Sequence, residues 1–105
     1  MVTPLRGEIW WGEIESIGRR PYLVMTRSAA IEVLNSVVAA PVTRTVRRIP
    51  TELPLGPPDG MPADCVATFD NLTTVPRANL AERICTLSGR RLADACAALH
   101  LALDC

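Results

Sequence analysis

Two residues at the ends of short apolar segments carry groups that can bind a phosphate. Arg20 stands directly before Pro21 and the apolar run at 22–25, and Thr43 closes the apolar segment at 40–42. A residue that precedes proline is held in extended conformation, so we expect Arg20 at a junction between a loop and a strand. A guanidinium fixed there can bind a phosphate through two parallel hydrogen bonds. If the two segments pair as neighbouring strands, the Thr43 hydroxyl can donate to the same phosphate as charge develops on it.

The composition sets limits on the class of protein. The chain has 105 residues, of which 49% are apolar, and we expect one domain that spans residues 1–105. So many apolar residues in so short a chain favour a surface that a partner covers. The net charge of zero argues against a dedicated binder of duplex DNA. All 11 positive residues are arginine, which either reflects a GC-rich genome or serves phosphate binding.

The cysteines and the single histidine do not form a metal-binding pattern. Cys65, Cys85, Cys96 and Cys105 include no Cys-x-x-Cys pair, and His100 is the only histidine. A zinc site is therefore not expected, and the sequence suggests no cofactor. There is no basic-then-apolar leader and no uninterrupted apolar run of 18 residues. We therefore expect a soluble, cytoplasmic protein with reduced thiols.

The apolar pattern predicts many short strands and one terminal helix. The expected strands are 7–15, 21–27, 36–42, 49–55, 64–69, 72–75 and 83–87. The strand at 21–27 is expected to be central and buried. Pro41 is expected to mark the exit of its strand or an edge, and Pro50 and Pro54 to place an exposed strand at a sheet edge.

Two segments favour helix. Ser28 is a possible N-cap for one or two turns. Ser88 is expected to cap a C-terminal helix whose apolar face contains the residues Leu92, Ala95, Cys96, Leu99 and Leu103. Together these elements predict a mainly β fold with a C-terminal helix, built on a small, strongly curved antiparallel sheet or barrel.

Several segments, in this order and spacing, resemble the MazF/PemK-type toxins of bacterial type II toxin–antitoxin systems. They are the opening run from Arg6 to Trp11, Arg20-Pro21 with its apolar strand, the Ala40-Pro41-Val42-Thr43 segment, and Asp70-Asn71, where relatives often have Asp-Gln. The resemblance covers nearly the whole chain. It implies an SH3-like barrel of the CcdB/Kid/MazF type with a long C-terminal helix.

The resemblance also implies a function. Enzymes of this family cleave single-stranded RNA without metal: the ribose 2′-OH attacks the adjacent phosphate and leaves a 2′,3′-cyclic phosphate and a 5′-OH. By this resemblance Arg20 would act in proton transfer and phosphate stabilisation, and Thr43 would stabilise the charge on the phosphorane. It further implies a homodimer that a cognate antitoxin neutralises.

A basic cluster follows Thr43. Arg44, Arg47 and Arg48 are either a solvated connection or a track for the RNA backbone, and we expect them, with Arg19 and Asn71, to contact RNA. Trp10 and Trp11 can stack on bases, but neighbours on a strand point to opposite faces, so at least one must enter the core. The first loop is shorter than in many relatives, which leaves base preference and antitoxin binding undetermined.

Two other classes remain as alternatives. CcdB-type toxins share the fold but bind DNA gyrase through a C-terminal helix that ends in a Trp-Gly-Ile-type sequence, whereas this chain ends in Leu-Ala-Leu-Asp-Cys. An adaptor that binds proline-rich peptides needs a cluster of surface aromatic residues. Two Trp, one Tyr and one Phe are too few to build such a groove.

Overall fold

The computed structural model describes residues 3–105, and within them the fold is an antiparallel sheet with a C-terminal helix. The strands are β1 (Glu8–Ile14), β2 (Gly18–Val24), β3 (Ser36–Thr43), β4 (Glu52–Leu55), β5 (Cys65–Thr68), β6 (Thr73–Pro76) and β7 (Leu80–Thr86). The helices are α1 (Ser28–Ile31) and α2 (Gly89–Leu103), and three short 3₁₀ turns lie at Pro57–Asp59, Phe69–Asn71 and Arg77–Asn79. No helix in residues 3–105 is long and apolar enough to cross a membrane. The predicted fold class is confirmed.

The hairpin of β1 and β2 closes earlier than the sequence suggests. Ile17 N–H donates to Ile14 C=O over 2.9 Å, and Gly18 takes a φ of 97°, which glycine adopts without a Cβ penalty. Strand β2 therefore begins at Gly18, and Arg20 lies inside the strand, paired with Gly12. The expected junction between loop and strand at Arg20 was wrong, because the turn ends two residues before it.

Strand β3 is the branch point of the sheet. Along one side it pairs with β2, as Tyr22 with Pro41 and Val24 with Ala39. Along the other side it pairs first with β6, through Ala39, and then with β5, from Val42 onward. Pro41 has no N–H to donate. It lies between the residues of β3 that pair with β6 and those that pair with β5, so neither of these ladders needs a donor at this position. The expectation that Pro41 marks an exit or an edge was therefore wrong, whereas the central place of β2 is confirmed.

Strands β4 and β5 extend the sheet beyond β3, and β4 is its edge strand. The predicted edge position is confirmed, but the strand is shorter than expected and is not exposed. Glu52, Leu53 and Leu55 are buried, and only Pro54 of this strand is exposed.

The core has two parts on opposite faces of the sheet. One packs under α2 and centres on the side chains Ile9, Leu23, Ala40, Val42 and Phe69. The other centres on Trp10, Tyr22, Val24, Ile31, Val37 and Val75. Trp10 is thus a core residue, whereas Trp11, on the opposite face, is half-buried. The prediction that at least one tryptophan enters the core is confirmed.

Helix α2 begins at the predicted cap. Ser88 Oγ accepts a hydrogen bond from Arg91 N–H over 3.2 Å, and the helix ends at Asp104 in left-handed conformation. Its packed face contains Leu92, Ala95, Cys96, Ala98, Leu99 and Ala102. Leu103 was expected on this face but is 53% exposed, because the chain has reached its last turn beyond the edge of the core. Ser28 is not the cap of α1: Arg27 holds that position, and Ser28 Oγ accepts from Arg6 N–H.

We predict that Gly12→Ala destabilises the fold by about 1–3 kcal/mol. A Cβ at position 12 would lie 2.7 Å from the ring of Tyr22, which is itself fully buried, so the ring must move. Urea denaturation measures the change in the free energy of unfolding. Gly89→Ala is the matched control, since a Cβ there meets nothing within 4 Å and should be neutral or stabilising. A Gly12→Ala variant as stable as the wild type would contradict this packing.

Candidate active site

Arg20 stands on β2 with a guanidinium that pairs with no carboxylate in residues 3–105. Four arginines are half-buried, namely Arg6, Arg20, Arg77 and Arg91. The other three each donate a side-chain hydrogen bond, to Cys96 Sγ, Ile31 C=O and Asp59 respectively. Within residues 3–105 Arg20 alone among them makes no side-chain hydrogen bond or salt bridge. Folding thus removes part of its hydration without supplying a counterion, which leaves it poised for an anion.

Thr43 and Arg20 lie just beyond the end of the β2–β3 ladder. The ladder runs from Val24–Ala39 to Tyr22–Pro41, and each of the two residues stands two positions past that last pair, Arg20 on β2 and Thr43 on β3. Thr43 is half-exposed at the last position of β3. Its Oγ1 accepts a hydrogen bond from Thr45 N–H over 3.2 Å, so the hydroxyl is oriented while its own proton stays available for donation.

Arg19 belongs to a different group of side chains from Arg20. Its guanidinium lies 3.0 Å from Glu13 and 3.6 Å from Glu82, and it covers the Trp11 ring at 4.8 Å from the centroid. Two carboxylates already offset its charge, although all three charged groups are exposed enough for solvent to weaken the pairing. The cation–π contact fixes the indole of Trp11 against the sheet.

A small apolar cavity adjoins Thr43. It has a volume of about 110 Å³ and lies between the sheet and the loop that precedes β5. Its lining includes Trp11, Pro21 and Thr43 from the sheet and Met61 from the loop. Such a cavity suits a flat, uncharged group, and Arg20 is not among the residues that line it.

Arg44 and Cys65 also line this cavity. Burial raises the pKa of the Cys65 thiol, the nearby Asp64 carboxylate raises it further, and the Arg44 guanidinium acts in the opposite direction. Burial likewise raises the pKa of Cys85, whose thiol donates to Met61 Sδ over 3.6 Å. Both thiols therefore stay protonated at neutral pH and are poor nucleophiles.

The other two arginines of the basic cluster come after Arg44 in the chain and do not line the cavity. Arg47 and Arg48 are exposed, and their backbone N–H groups donate to Glu52 Oε1. Asn71 is not brought to Thr43 by the sheet, because Thr43 pairs with Val66 near the start of β5 whereas Asn71 follows its end. Asn71 is exposed at the close of a 3₁₀ turn in which Asp70 accepts from the Thr51 hydroxyl.

Some members of the site gave no signal in the sequence. Met61 and Ala63 reach the cavity because the proline-rich loop at 56–64 folds back over the strand ends, which is a tertiary contact. Glu52 looks like an ordinary charge on an exposed strand, yet it is 5% exposed. Residues 3–105 contain no group of three or more His, Cys, Asp or Glu side chains that could hold a metal ion.

The curved antiparallel sheet with one long C-terminal helix is the fold of a class of small toxins. A family model described as "PemK-like, MazF-like toxin of type II toxin-antitoxin system" matches residues 5–103. The chain belongs to this family. The predicted relation to MazF/PemK-type toxins is therefore confirmed.

Relatives and solved structures agree with this assignment. The chain is 40% identical to the probable endoribonuclease MazF5 of Mycobacterium tuberculosis over 103 residues, which cover 97% of this chain and 94% of that protein. It is also 40% identical to the probable endoribonuclease MazF2 of the same species over 101 residues, 95% of this chain and 98% of that one.

Among solved structures, the M. tuberculosis toxin MazF-mt6 aligns with a TM-score of 0.85 and 30% identity, over 92% of this chain and 96% of that one. A mycobacterial endoribonuclease in complex with its cognate antitoxin aligns with a TM-score of 0.86 and 29% identity, over 96% and 95%. The family and its named relatives favour the MazF interpretation over the gyrase-binding alternative.

We predict that the stability of the protein falls as the pH rises above about 9, the ordinary pKa of the two thiols. The pKa values of Cys65 and Cys85 are raised in the folded state, so the unfolded chain loses these protons first and alkaline pH favours unfolding. Below that pH both states keep the protons and the contribution is constant. Denaturation series at several pH values measure the slope.

The control for this prediction is the double variant Cys65→Ala/Cys85→Ala. It loses packing at every pH, but its stability should decline less steeply above pH 9. Equal slopes for the variant and the wild type would contradict the assignment.

Proposed function

We propose that this chain is a metal-independent endoribonuclease toxin that cleaves single-stranded RNA at particular sequences and leaves a 2′,3′-cyclic phosphate and a 5′-OH. The observation that carries the proposal is that Arg20, whose side chain makes no hydrogen bond or salt bridge in residues 3–105, and Thr43 each stand two positions past the Tyr22–Pro41 pair that ends the β2–β3 ladder. Its relatives are named endoribonucleases, which supports the reaction class. Its action would be in the cytoplasm, where cleavage of RNA stops translation and growth.

In the proposed reaction the 2′-oxygen of one ribose attacks the adjacent phosphorus while the bond from phosphorus to the 5′-oxygen breaks. The 2′-hydroxyl gives its proton to solvent water, and the departing 5′-oxygen gains one from solvent. Negative charge accumulates on the non-bridging oxygens in between, and Arg20 and Thr43 donate to them. We assign Arg20 this electrostatic role rather than that of a base, because a guanidinium stays protonated at neutral pH.

The cavity beside Thr43 supplies a place for a base next to the cleaved bond. Trp11 offers an indole that Arg19 holds in place, and stacking on an aromatic ring contributes about 1–3 kcal/mol per base. Arg44 at the rim, and Arg47 and Arg48 beyond it, would bind the phosphates that follow. Arg19 and Asn71 remain candidates for peripheral contacts, because neither adjoins the Arg20–Thr43 pair.

We also propose that the protein is a homodimer that a cognate antitoxin neutralises. An apolar groove of about 470 Å³ lies between α2 and β3 and is lined in part by Leu34, Val38, Leu99 and Leu103. Several of these side chains are 40% or more exposed, an arrangement that a second copy of the chain would cover. The complex of a similar endoribonuclease with its antitoxin supports the second partner.

We predict that Arg20→Ala lowers kcat by about 10²–10³-fold, because it removes a donor to the charged transition state. The measurement is cleavage of a mixed-sequence RNA in excess EDTA. Arg90→Ala is the matched control, since Arg90 is exposed and lies outside both the site and the groove, and it should cleave like the wild type. If Arg20→Ala cuts as fast as Arg90→Ala, the catalytic assignment is wrong, and binding to DNA gyrase is the next function to test.

We predict a similar but smaller loss, about 10- to 100-fold in kcat, for Thr43→Val. This change keeps the β-branched shape and removes the hydroxyl that accepts a hydrogen bond from Thr45 N–H. Thr74→Val on the exposed side of β6 is the control for a lost strand hydroxyl. A rise in KM with kcat unchanged would show that Thr43 only helps to bind RNA.

A further inference from the structure

We propose that Glu52 is a positioning residue that holds the basic segment, residues 44–48, in the conformation that binds RNA phosphates. The inference rests on the proposed ribonuclease function. Glu52 touches neither Arg20 nor Thr43 by any hydrogen bond within residues 3–105, so its effect on RNA would act through the basic segment.

The Glu52 carboxylate is buried against the backbone of that segment. Glu52 is the first residue of β4 and is only 5% exposed. Oε1 accepts from Arg47 N–H over 2.9 Å and from Arg48 N–H over 3.2 Å. Glu52 N–H in turn donates to Ile49 C=O over 3.0 Å, which forms a turn between the basic segment and β4. Hydrogen bonds from two consecutive N–H groups to a charged oxygen are strong enough to fix a loop.

The conformation that these bonds hold is an unusual one. Arg48 has a φ of 56°, in the left-handed region that side chains other than Gly, Asn and Asp rarely adopt. The other residue of this kind in the described chain is Asp104, which merely terminates α2. Contact with Glu52 offsets the strain at Arg48, and strain of this type concentrates at functional sites.

The arrangement leaves the arginine charges free. A buried carboxylate beside Arg47 and Arg48 would ordinarily pair with a guanidinium, as Glu8 does with Arg83 over 3.1 Å. Glu52 Oε1 accepts from backbone N–H groups instead, and Oε2 is buried without a hydrogen-bond partner in residues 3–105. Within residues 3–105 the guanidinium groups of Arg44, Arg47 and Arg48 make no hydrogen bond or salt bridge, so they stay available for phosphates.

Both ends of the segment are thereby tied to the sheet. At one end Thr45 N–H donates to the Thr43 hydroxyl, and at the other Arg47 and Arg48 donate to Glu52. The segment starts directly after Thr43, so a fixed course for it sets where the RNA backbone continues from the cleaved bond. Preorganisation of this kind lowers the ordering cost of binding and acts on affinity rather than on the chemical step.

The experiment compares Glu52→Leu with Glu52→Gln and with Glu8→Leu, all assayed where circular dichroism shows a folded protein. For Glu52→Leu we expect KM for a single-stranded RNA oligonucleotide to rise about tenfold with kcat within twofold. Glu52→Gln keeps one acceptor oxygen for both N–H groups, and KM should stay within about threefold of the wild type. Glu8→Leu removes an equally buried carboxylate elsewhere and should leave KM unchanged.

A second readout separates positioning from lost stability. Partial unfolding lowers the amount of active enzyme, and so the apparent kcat, but leaves KM alone. Binding of 2′-O-methyl RNA, which lacks the attacking hydroxyl, should weaken in Glu52→Leu and depend less steeply on salt concentration. A Glu52→Leu protein with wild-type KM and wild-type binding overturns the inference while the ribonuclease function stands. A wild-type protein that neither binds nor cuts RNA overturns both.

A pair of variants at Arg48 tests the same conformation without a change in the core. Arg48→Gly and Arg48→Val both lose the guanidinium, but only glycine adopts the left-handed backbone freely. We expect Arg48→Val to raise KM more than Arg48→Gly, by about threefold or more. Equal KM values for the two would overturn the inference, even if Glu52→Leu did not fold.

Discussion

The site depends on one constraint, the register of β2 against β3. Tyr22 pairs with Pro41, and a shift by one residue would move every side chain of β3 to the opposite face. The register is fixed because both strands bury apolar residues on two faces, Leu23 and Ala40 towards α2 and Val24 towards the other core. A single bond between strands would not fix this register, but a ladder held by two cores does. The packing energy of the fold thus also fixes the geometry of the site.

The sequence predicts the order and the type of nearly all the elements, because alternating and continuous apolar runs follow the two-residue period of strands. It fails where distant contacts decide. The start of β2 depends on the tight turn at Gly18, and the place of Pro41 depends on a change of partner from β6 to β5 that no local pattern encodes. Strand β4 looks exposed in the sequence because Glu52 and two prolines interrupt it, yet Leu53 and Leu55 belong to the core that packs under α2.

For the site, the sequence marks Arg20 and Thr43 by their edge positions and by family resemblance, and both lie just past the end of the β2–β3 ladder. The sequence cannot show which of two neighbouring arginines pairs with a carboxylate. Arg19 and Arg20 are adjacent in the chain, but only Arg19 meets two carboxylates, since neighbours on a strand point to opposite faces. The cavity is equally invisible to sequence patterns, because it forms between segments that are distant along the chain. The contacts of Glu52 are local, but no sequence pattern shows that its carboxylate is buried and accepts from the backbone of Arg47 and Arg48.

The central claim is that Arg20 and Thr43 stabilise an attack by the ribose 2′-hydroxyl. The most direct test is mass spectrometry of the fragments produced when purified protein cuts a defined single-stranded RNA in excess EDTA. The account predicts a 2′,3′-cyclic phosphate on one fragment and a 5′-OH on the other, with no cut at a position that carries a 2′-O-methyl group. Fragments with a 3′-OH and a 5′-phosphate, or cleavage that EDTA abolishes, would contradict it.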